Sequence, residues 1–231
     1  PTEVFKHVAL VSGEAAPVRT FLTSGTTVGR RGRHERVSHR AYDAGAARHF
    51  RETVLFDRDS IEFVNLVLDP GNHPESSLSH MVGLLSERFS KGEPSYLLTE
   101  DGLEIDETAA RIESATTPLL LFGTAFAYVH FFDGWAGSVD LPPGSRIIET
   151  GGFKGKSRSV ERAELHRWFR ERLGVPRRFI LSEYSMTELS SQLYTDALLR
   201  TSRSGSEEPI ASADDGGASF FIPPHWCRVS A

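Results

Sequence analysis

The chain has 231 residues, 39% hydrophobic and 25% charged, with a formal net charge of −5, which suffices for a real core and lacks the basic surplus of a general nucleic-acid binder. Its single cysteine, Cys227, excludes an intrachain disulfide framework and a zinc ribbon and fits a reducing compartment, the cytoplasm. No apolar run approaches the ~18–20 residues that span a bilayer, and no signal peptide opens the chain.

The predicted elements alternate along the chain. "IEFVNLVL" (61–68) is a short apolar run of β-formers. "SSLSHMVGLLSERFS" then sets Leu78, Met81, Val82 and Leu85 at helical spacing. "PSYLLT" (94–99) reads as a strand, and "DETAARIESA" as a helix with Asp106 at its N-cap. "TPLLLFG" reads as a buried strand, "TAFAYVHFF" as a helix, and "SRIIET" as a strand. "SVERAELHRWFRERLG" is the clearest helix: Ser159 starts it, Leu165, Trp168, Phe169 and Leu173 share a face, and Gly174 stops it. "RRFILSEY" is the next strand, and residues 200–217 read as a long polar loop.

Strands separated by helices predict an α/β domain with a mainly parallel sheet flanked by helices. Loops leaving such strands gather at one sheet edge, where these folds bind ligands. Three polar segments fall there. In "RIIETGGFKGKSR" a phosphate loop would need glycine five residues before Gly155, and Thr150 stands there instead. Spacing alone leaves two readings for Gly151 and Gly152: close approach of the backbone to a flat ligand, or a turn with solvated lysines. "FLTSGTTVGRRGRH" surrounds Gly25 with Thr23, Ser24, Thr26 and Thr27, and hydroxyls and free amides are groups that hold polyphosphates. "LSEYSMTELSSQLY" offers Glu188 as a Mg²⁺ carboxylate or an early-helix acid, and Tyr184 as a flat face for a base or a core residue.

Taken in order, "TSGTT", "HPESSLSHM", "ETGGFKGKSR", "EYSMTELSSQLY" and "PPHWCR" resemble the acyl-protein synthetases of bacterial bioluminescence. These are long-chain-fatty-acid–protein ligases within the adenylate-forming superfamily. The matches run across nearly the whole chain, and "ETGGFKGKSR" with "MTELSSQ" about thirty residues later is the most specific pair. The resemblance implies the large N-terminal domain of an adenylate-forming enzyme over residues 1–231. The ribose-binding aspartate, the hinge and the small C-terminal domain with its catalytic lysine are expected beyond residue 231. The Pro1 start and the terminal "PPHWCRVSA", which reads as the beginning of a strand, give the same expectation of a longer chain.

The implied chemistry is attack of a carboxylate on the α-phosphate of ATP, giving an acyl-adenylate and pyrophosphate, then acyl transfer to a thiol or other nucleophile. By resemblance, Thr23, Ser24, Gly25, Thr26 and Thr27 hold the β- and γ-phosphates, and Gly151 and Gly152 lie by the adenine and adenylate. Tyr184 stacks on or flanks the adenine, Thr187 bonds the α-phosphate and Glu188 binds Mg²⁺, while His130 either lines an acyl pocket or is, as a lone histidine more often is, an ordinary structural residue. Partners are then an apolar or aromatic carboxylic acid and an acyl-acceptor protein or carrier thiol, with no nucleic acid and no membrane span. Cys227 is rejected as the acceptor because its surroundings read as strand. Val28 stands where the phosphate loop of the family has its last glycine, and Ser185 where the family has glycine before Met186. These departures motivate the alternative of a non-catalytic nucleotide-binding or partner-docking module; a phosphate-loop NTPase built on Lys156 and Ser157 fails on spacing.

Overall fold

Structure begins before the apolar pattern announces any. The computed structural model describes residues 7–8, 15–23, 31–151, 160–204 and 220–228. Two four-residue strands, β1 (Arg19–Leu22) and β2 (Arg33–Arg36), pair antiparallel, and helix α1 (Arg40–Thr53) follows. No element is legible there because both strands are short and polar-rich. Helix α1 also builds its buried face from Tyr42, Ala46, His49 and Phe50 rather than from branched aliphatics. Arg33 and His34 therefore belong to a strand, not to the hydroxyl-rich loop.

From residue 61 the expected order holds. β3 (Glu62–Leu68), α2 (Ser77–Phe89), β4 (Ser95–Leu98), α3 (Ile105–Glu113), β5 (Leu119–Thr124), α4 (Ala125–Gly134), β6 (Arg146–Thr150), α5 (Arg162–Leu173) and β7 (Ile180–Ser185) alternate. β8 (Gln192–Thr195), α6 (Ala197–Ser204) and β9 (Phe221–Ile222) follow. One seven-stranded sheet has the order β4-β3-β5-β6-β7-β8-β9. Its first five members are parallel, as strand–helix–strand connections require, while β8 and β9 are antiparallel additions.

The central strands place apolar residues on both sides because both sheet faces are covered. On one face Leu121, Ile147 and Ile180 pack against Tyr128 and Phe131 of α4 and Leu165 and Phe169 of α5. On the other, Phe122, Ile148 and Leu181 pack against Phe50 of α1 and Met81, Val82 and Leu85 of α2. Caps fix the helix starts nearest the strand ends. Ser76 accepts from Ser79 N at 3.1 Å, and Thr124 from Ala127 N at 3.1 Å. Gly174 ends α5 at φ 62°, a left-handed stop that favours glycine.

Several expectations need correction. Asp106 lies in the first turn of α3, with Glu104 at the cap; an acid there still favours the helix dipole. Helix α5 starts at Arg162 behind Glu161, and Ser159 lies outside the described residues. Residues 177–179 form a 3₁₀ turn before β7. The polar stretch from residue 200 opens as the end of α6. "PPHWCR" is not a strand: β9 precedes it, and Cys227 N closes a turn onto Pro224 O at 2.8 Å. Strand burial is therefore not what sets Cys227 apart; it is half-buried beside that turn. Among the described residues no helix is long and apolar enough to cross a membrane.

Candidate functional site

Parallel β3, β5, β6 and β7 release their chains at one edge of the sheet. That edge carries the 69–76 loop, Thr124 at the start of α4, Gly151, and the turn after β7. The β1–β2 hairpin is pinned to it: Leu22 N donates to Glu75 O at 2.9 Å. Thr23 is buried and clasps the base of the loop that leaves β1. Its N–H donates to Gly32 O at 2.9 Å, its Oγ1 accepts from Gly32 N at 2.8 Å, and its carbonyl accepts from Arg31 Nε at 3.0 Å. Ser24, Gly25, Thr26 and Thr27 lie outside the described residues, as do Gly152, Lys156 and Ser157.

The turn after β7 gathers the acid and hydroxyl candidates. Leu189 N closes it onto Met186 O at 3.0 Å, so Glu188 sits in a turn and not at a helix start. Thr187 Oγ1 shares a 2.9 Å hydrogen bond with Ser77 Oγ, which ties the turn to the first residue of α2. Ser190 leaves the turn at φ 56°, a left-handed conformation costing a side chain of order 1 kcal/mol. Its hydroxyl accepts from Arg36 of β2, whose guanidinium lies 5.0 Å above the Tyr42 ring. Hairpin, α1, α2 and turn thus lock together around Thr187.

Tyr184 is 47% exposed, so it is not a core residue; its ring lies 5.9 Å from that of Phe221 and keeps an open face. Gly151 follows β6 at φ 68°, and a Cβ there would meet nothing within 4 Å. Glycine is needed at this point for backbone conformation, and among the described residues nothing crowds the space above it.

Beneath the edge lie two buried acids on adjacent strands. Glu149 of β6 accepts from the Ser182 hydroxyl, pairs with Arg162 Nε at 3.1 Å and stands 3.6 Å from His166 Nε2. Glu183 of β7 accepts from the Thr150 hydroxyl, and its second oxygen has no partner. Burial raises the Glu183 carboxyl to about 7, against the pull of the Thr150 and Ser185 hydroxyls and with a push from Glu149. Burial likewise lowers His166 despite its carboxylate neighbour.

The structure brings Thr23, Gly151, Tyr184, Thr187 and Glu188 to one sheet edge. His130 stands apart: it is exposed on α4, its ring 6.2 Å from that of Phe126. Sequence reasoning missed Ser77, Arg36, Ser190 and the acid Glu183. Ser77 lies inside "HPESSLSHM", and Glu183 immediately precedes Tyr184, but which face each side chain takes depends on strand register. A depression of about 910 Å³ lined by Thr116, Ser145, Arg178 and Phe179 opens at the opposite edge, where β5, β6 and β7 begin. It carries none of the candidates.

No family model matches the sequence, and no curated protein matches it. Among solved structures, the chain is similar to ATP-bound MatB from Rhodopseudomonas palustris, at 17% identity and TM-score 0.47 over 79% of this chain and 32% of that one. It is similar to the ATP-bound RpMatB-BxBclM chimera B3 at 16% identity and TM-score 0.48, with the same coverages of 79% and 32%. A Brucella canis acyl-CoA synthetase aligns at 21% identity and TM-score 0.42 over 73% of this chain and 27% of its own. The chain spans about a third or less of each neighbour.

Proposed function

We propose that this chain takes part in ATP-dependent activation of a carboxylic acid to an acyl-adenylate, in the manner of the acyl-protein synthetases its motifs resemble. The observation carrying this reading is convergence. Motifs separated by up to 160 residues along the sequence meet at one sheet edge, with an open aromatic face at Tyr184 beside the left-handed Gly151. In the reaction, a carboxylate oxygen forms a bond to the α-phosphorus, and the bond from that phosphorus to the pyrophosphate oxygen breaks. The protein's task is to hold the two groups in line and to offer donors where charge gathers. Thr187, anchored by Ser77, presents its hydroxyl toward the α-phosphate; Tyr184 and Gly151 flank the adenine; Thr23 sets the base of the loop that wraps the outer phosphates.

Magnesium fits this donor set. Glu188 is a half-buried carboxylate in the turn, no described side chain pairs with it, and it stands beside the Thr187 hydroxyl. Magnesium on nucleotides takes one or two carboxylates plus phosphate oxygens. Bound there it would neutralise phosphate charge, and Glu188→Gln would alter the Mg²⁺ dependence of activity.

ATP–pyrophosphate exchange with a panel of fatty and aromatic acids tests the reading, and exchange stimulated by one acid class is expected. ATP binding without exchange under any acid would favour the second reading, a nucleotide-binding module without catalysis. That reading has its own motive in the half-buried Ser185 where the family has glycine. The acyl acceptor is proposed to be a protein or carrier thiol.

A further inference from the structure

Outside the nucleotide edge, the described residues bring together one group of metal-ligating side chains. His39 caps α1, Asp43 lies one turn on, and His80 reaches across from α2. The backbone bond from Asp43 N to His39 O, 2.8 Å, closes that first turn and sets residues four apart on one helix face. One ligand atom from each of the three lies within 4.8 Å of the others, and His80 Nε2 is already 2.9 Å from Asp43 Oδ1. Neither His39 nitrogen has a hydrogen-bond partner, and both are shielded from solvent. Imidazole nitrogens hidden without partners are uncommon and need a reason. The rings of His39 and His80 stand 4.9 Å apart, with Phe21 against both.

We propose that His39, Asp43 and His80 form a site for a divalent transition metal of the zinc type, with Arg19 as the cation that opposes it and sets its affinity. Two imidazoles and one carboxylate are a borderline donor set, which disfavours magnesium and calcium. With bonds of about 2.0–2.1 Å, tetrahedral ligands stand about 3.3 Å apart. The His80–Asp43 pair is near that spacing, and small side-chain rotations bring in His39. Three protein ligands leave one position for water.

Arg19 determines how hard the site is to fill. Its Nη1 donates to His80 Nδ1 at 3.0 Å. Arginine can only donate, so in the metal-free protein Nδ1 is bare and the proton sits on Nε2, donated to Asp43. A metal on Nε2 moves that proton to Nδ1, where it faces the Arg19 donor, and Arg19 must release. Metal-bound histidines ordinarily donate their second nitrogen to an acceptor; here a cation stands in that place. The site joins β1, four residues before Thr23, to α2, three residues after Ser77, so it braces the elements beneath the proposed nucleotide edge without belonging to that edge.

The test titrates the metal-free chain with Co²⁺, followed by its visible absorption, and then with Zn²⁺ in competition, with no nucleotide present. One Co²⁺ per chain is expected, bound at least about tenfold more weakly by His39→Gln and about tenfold more tightly by Arg19→Ala. Because the His39 ring has no hydrogen bond to lose and Gln keeps part of its packing against Phe21 and His80, His39→Gln should nearly keep its circular dichroism and unfolding midpoint. Cobalt binding equal in wild type and folded His39→Gln would overturn the proposal, as would no binding at all. Weaker binding in Arg19→Ala would overturn the role given to Arg19. The outcome is independent of whether the chain activates carboxylic acids.

Discussion

Glu149 and Glu183 are the same residue type, one strand apart, at the same edge and both nearly out of solvent, yet the protein treats them oppositely. On the α4–α5 face, Glu149 has the Ser182 hydroxyl, the Arg162 guanidinium and the nearby His166 ring around it. On the α1–α2 face, Glu183 has only hydroxyls, those of Thr150 and Ser185, and otherwise meets the buried rings of Tyr42 and Tyr194. Without a cation the cheaper solution is to hold the proton, which is why burial carries Glu183 to about 7. Burial alone does not decide the state of an acid; the partners on its own face of the sheet do.

The largest effect expected from breaking this contrast is a change in pH dependence. Folded Glu183 keeps its proton to about pH 7, whereas the unfolded chain releases it near 4.5. Between those values the folded state binds more protons, so stability falls as pH rises and the loss is complete above about 7. Its size is roughly 3 kcal/mol. Relative to wild type, Glu183→Gln should therefore gain stability from pH 4 to pH 8 by that amount, read by denaturant unfolding at each pH. A flat difference between the two proteins would show that the carboxyl is ionised throughout.

Next in size is Glu149→Ala. Removing the acceptor of a buried hydroxyl costs about 2 kcal/mol, while the exposed end of the Arg162 pair adds little. The pH slope belonging to Glu183 should survive, its midpoint moved down because Glu149 no longer repels the Glu183 charge. Loss of the slope together with the stability would mean that the two acids titrate as one unit.

Tyr184→Ala sharpens the contrast between structure and function on one face. Tyr184 is two residues beyond Ser182 on β7 and exposed, so thermal stability should change little. The ATP dissociation constant should rise about tenfold, corresponding to a stacking contribution of ~1–3 kcal/mol. Calorimetry on the folded variant reads both quantities. Unchanged ATP affinity would remove Tyr184 from the proposed adenine site.

The same contrast explains what the sequence discloses. Strands β3 and β5 are legible because burial on both faces makes them nearly unbroken apolar runs, β6 and β7 through the apolar pairs Ile147–Ile148 and Ile180–Leu181, and Gly174 announces its stop because only glycine is comfortable at that φ. Strands β1 and β2 are not legible, since four residues such as Arg-His-Glu-Arg gain their strand state from pairing with Arg-Thr-Phe-Leu and not from their own pattern. Tyr184 and Glu188 stand out as site candidates because they fall at a strand end within a motif. Glu183 does not: an acid inside "LSEYSM" reads as one more polar edge residue until register with Thr150 turns it inward. The His39–Asp43–His80 group needs two helices to meet, so no local spacing could reveal it.

The smallest effect expected is also the most discriminating. Thr150→Val removes one of the two hydroxyls that favour ionised Glu183, the other being that of Ser185, and keeps the side-chain shape. The net worth of such a bond is about 1 kcal/mol, so below pH 5, where Glu183 is protonated in either protein, the loss should be about that or less. Above pH 7 the loss should grow, because the charged carboxylate then keeps only the Ser185 hydroxyl and its titration midpoint moves further up. Thr150→Ser, which restores the hydroxyl, should bring the midpoint back toward wild type while leaving a smaller loss from the missing methyl. A midpoint that stays in place in Thr150→Val would mean that burial beside Tyr42 and Tyr194, with Ser185 and Glu149, sets the Glu183 proton, and that the Thr150 hydroxyl serves the backbone turn into Gly151 instead.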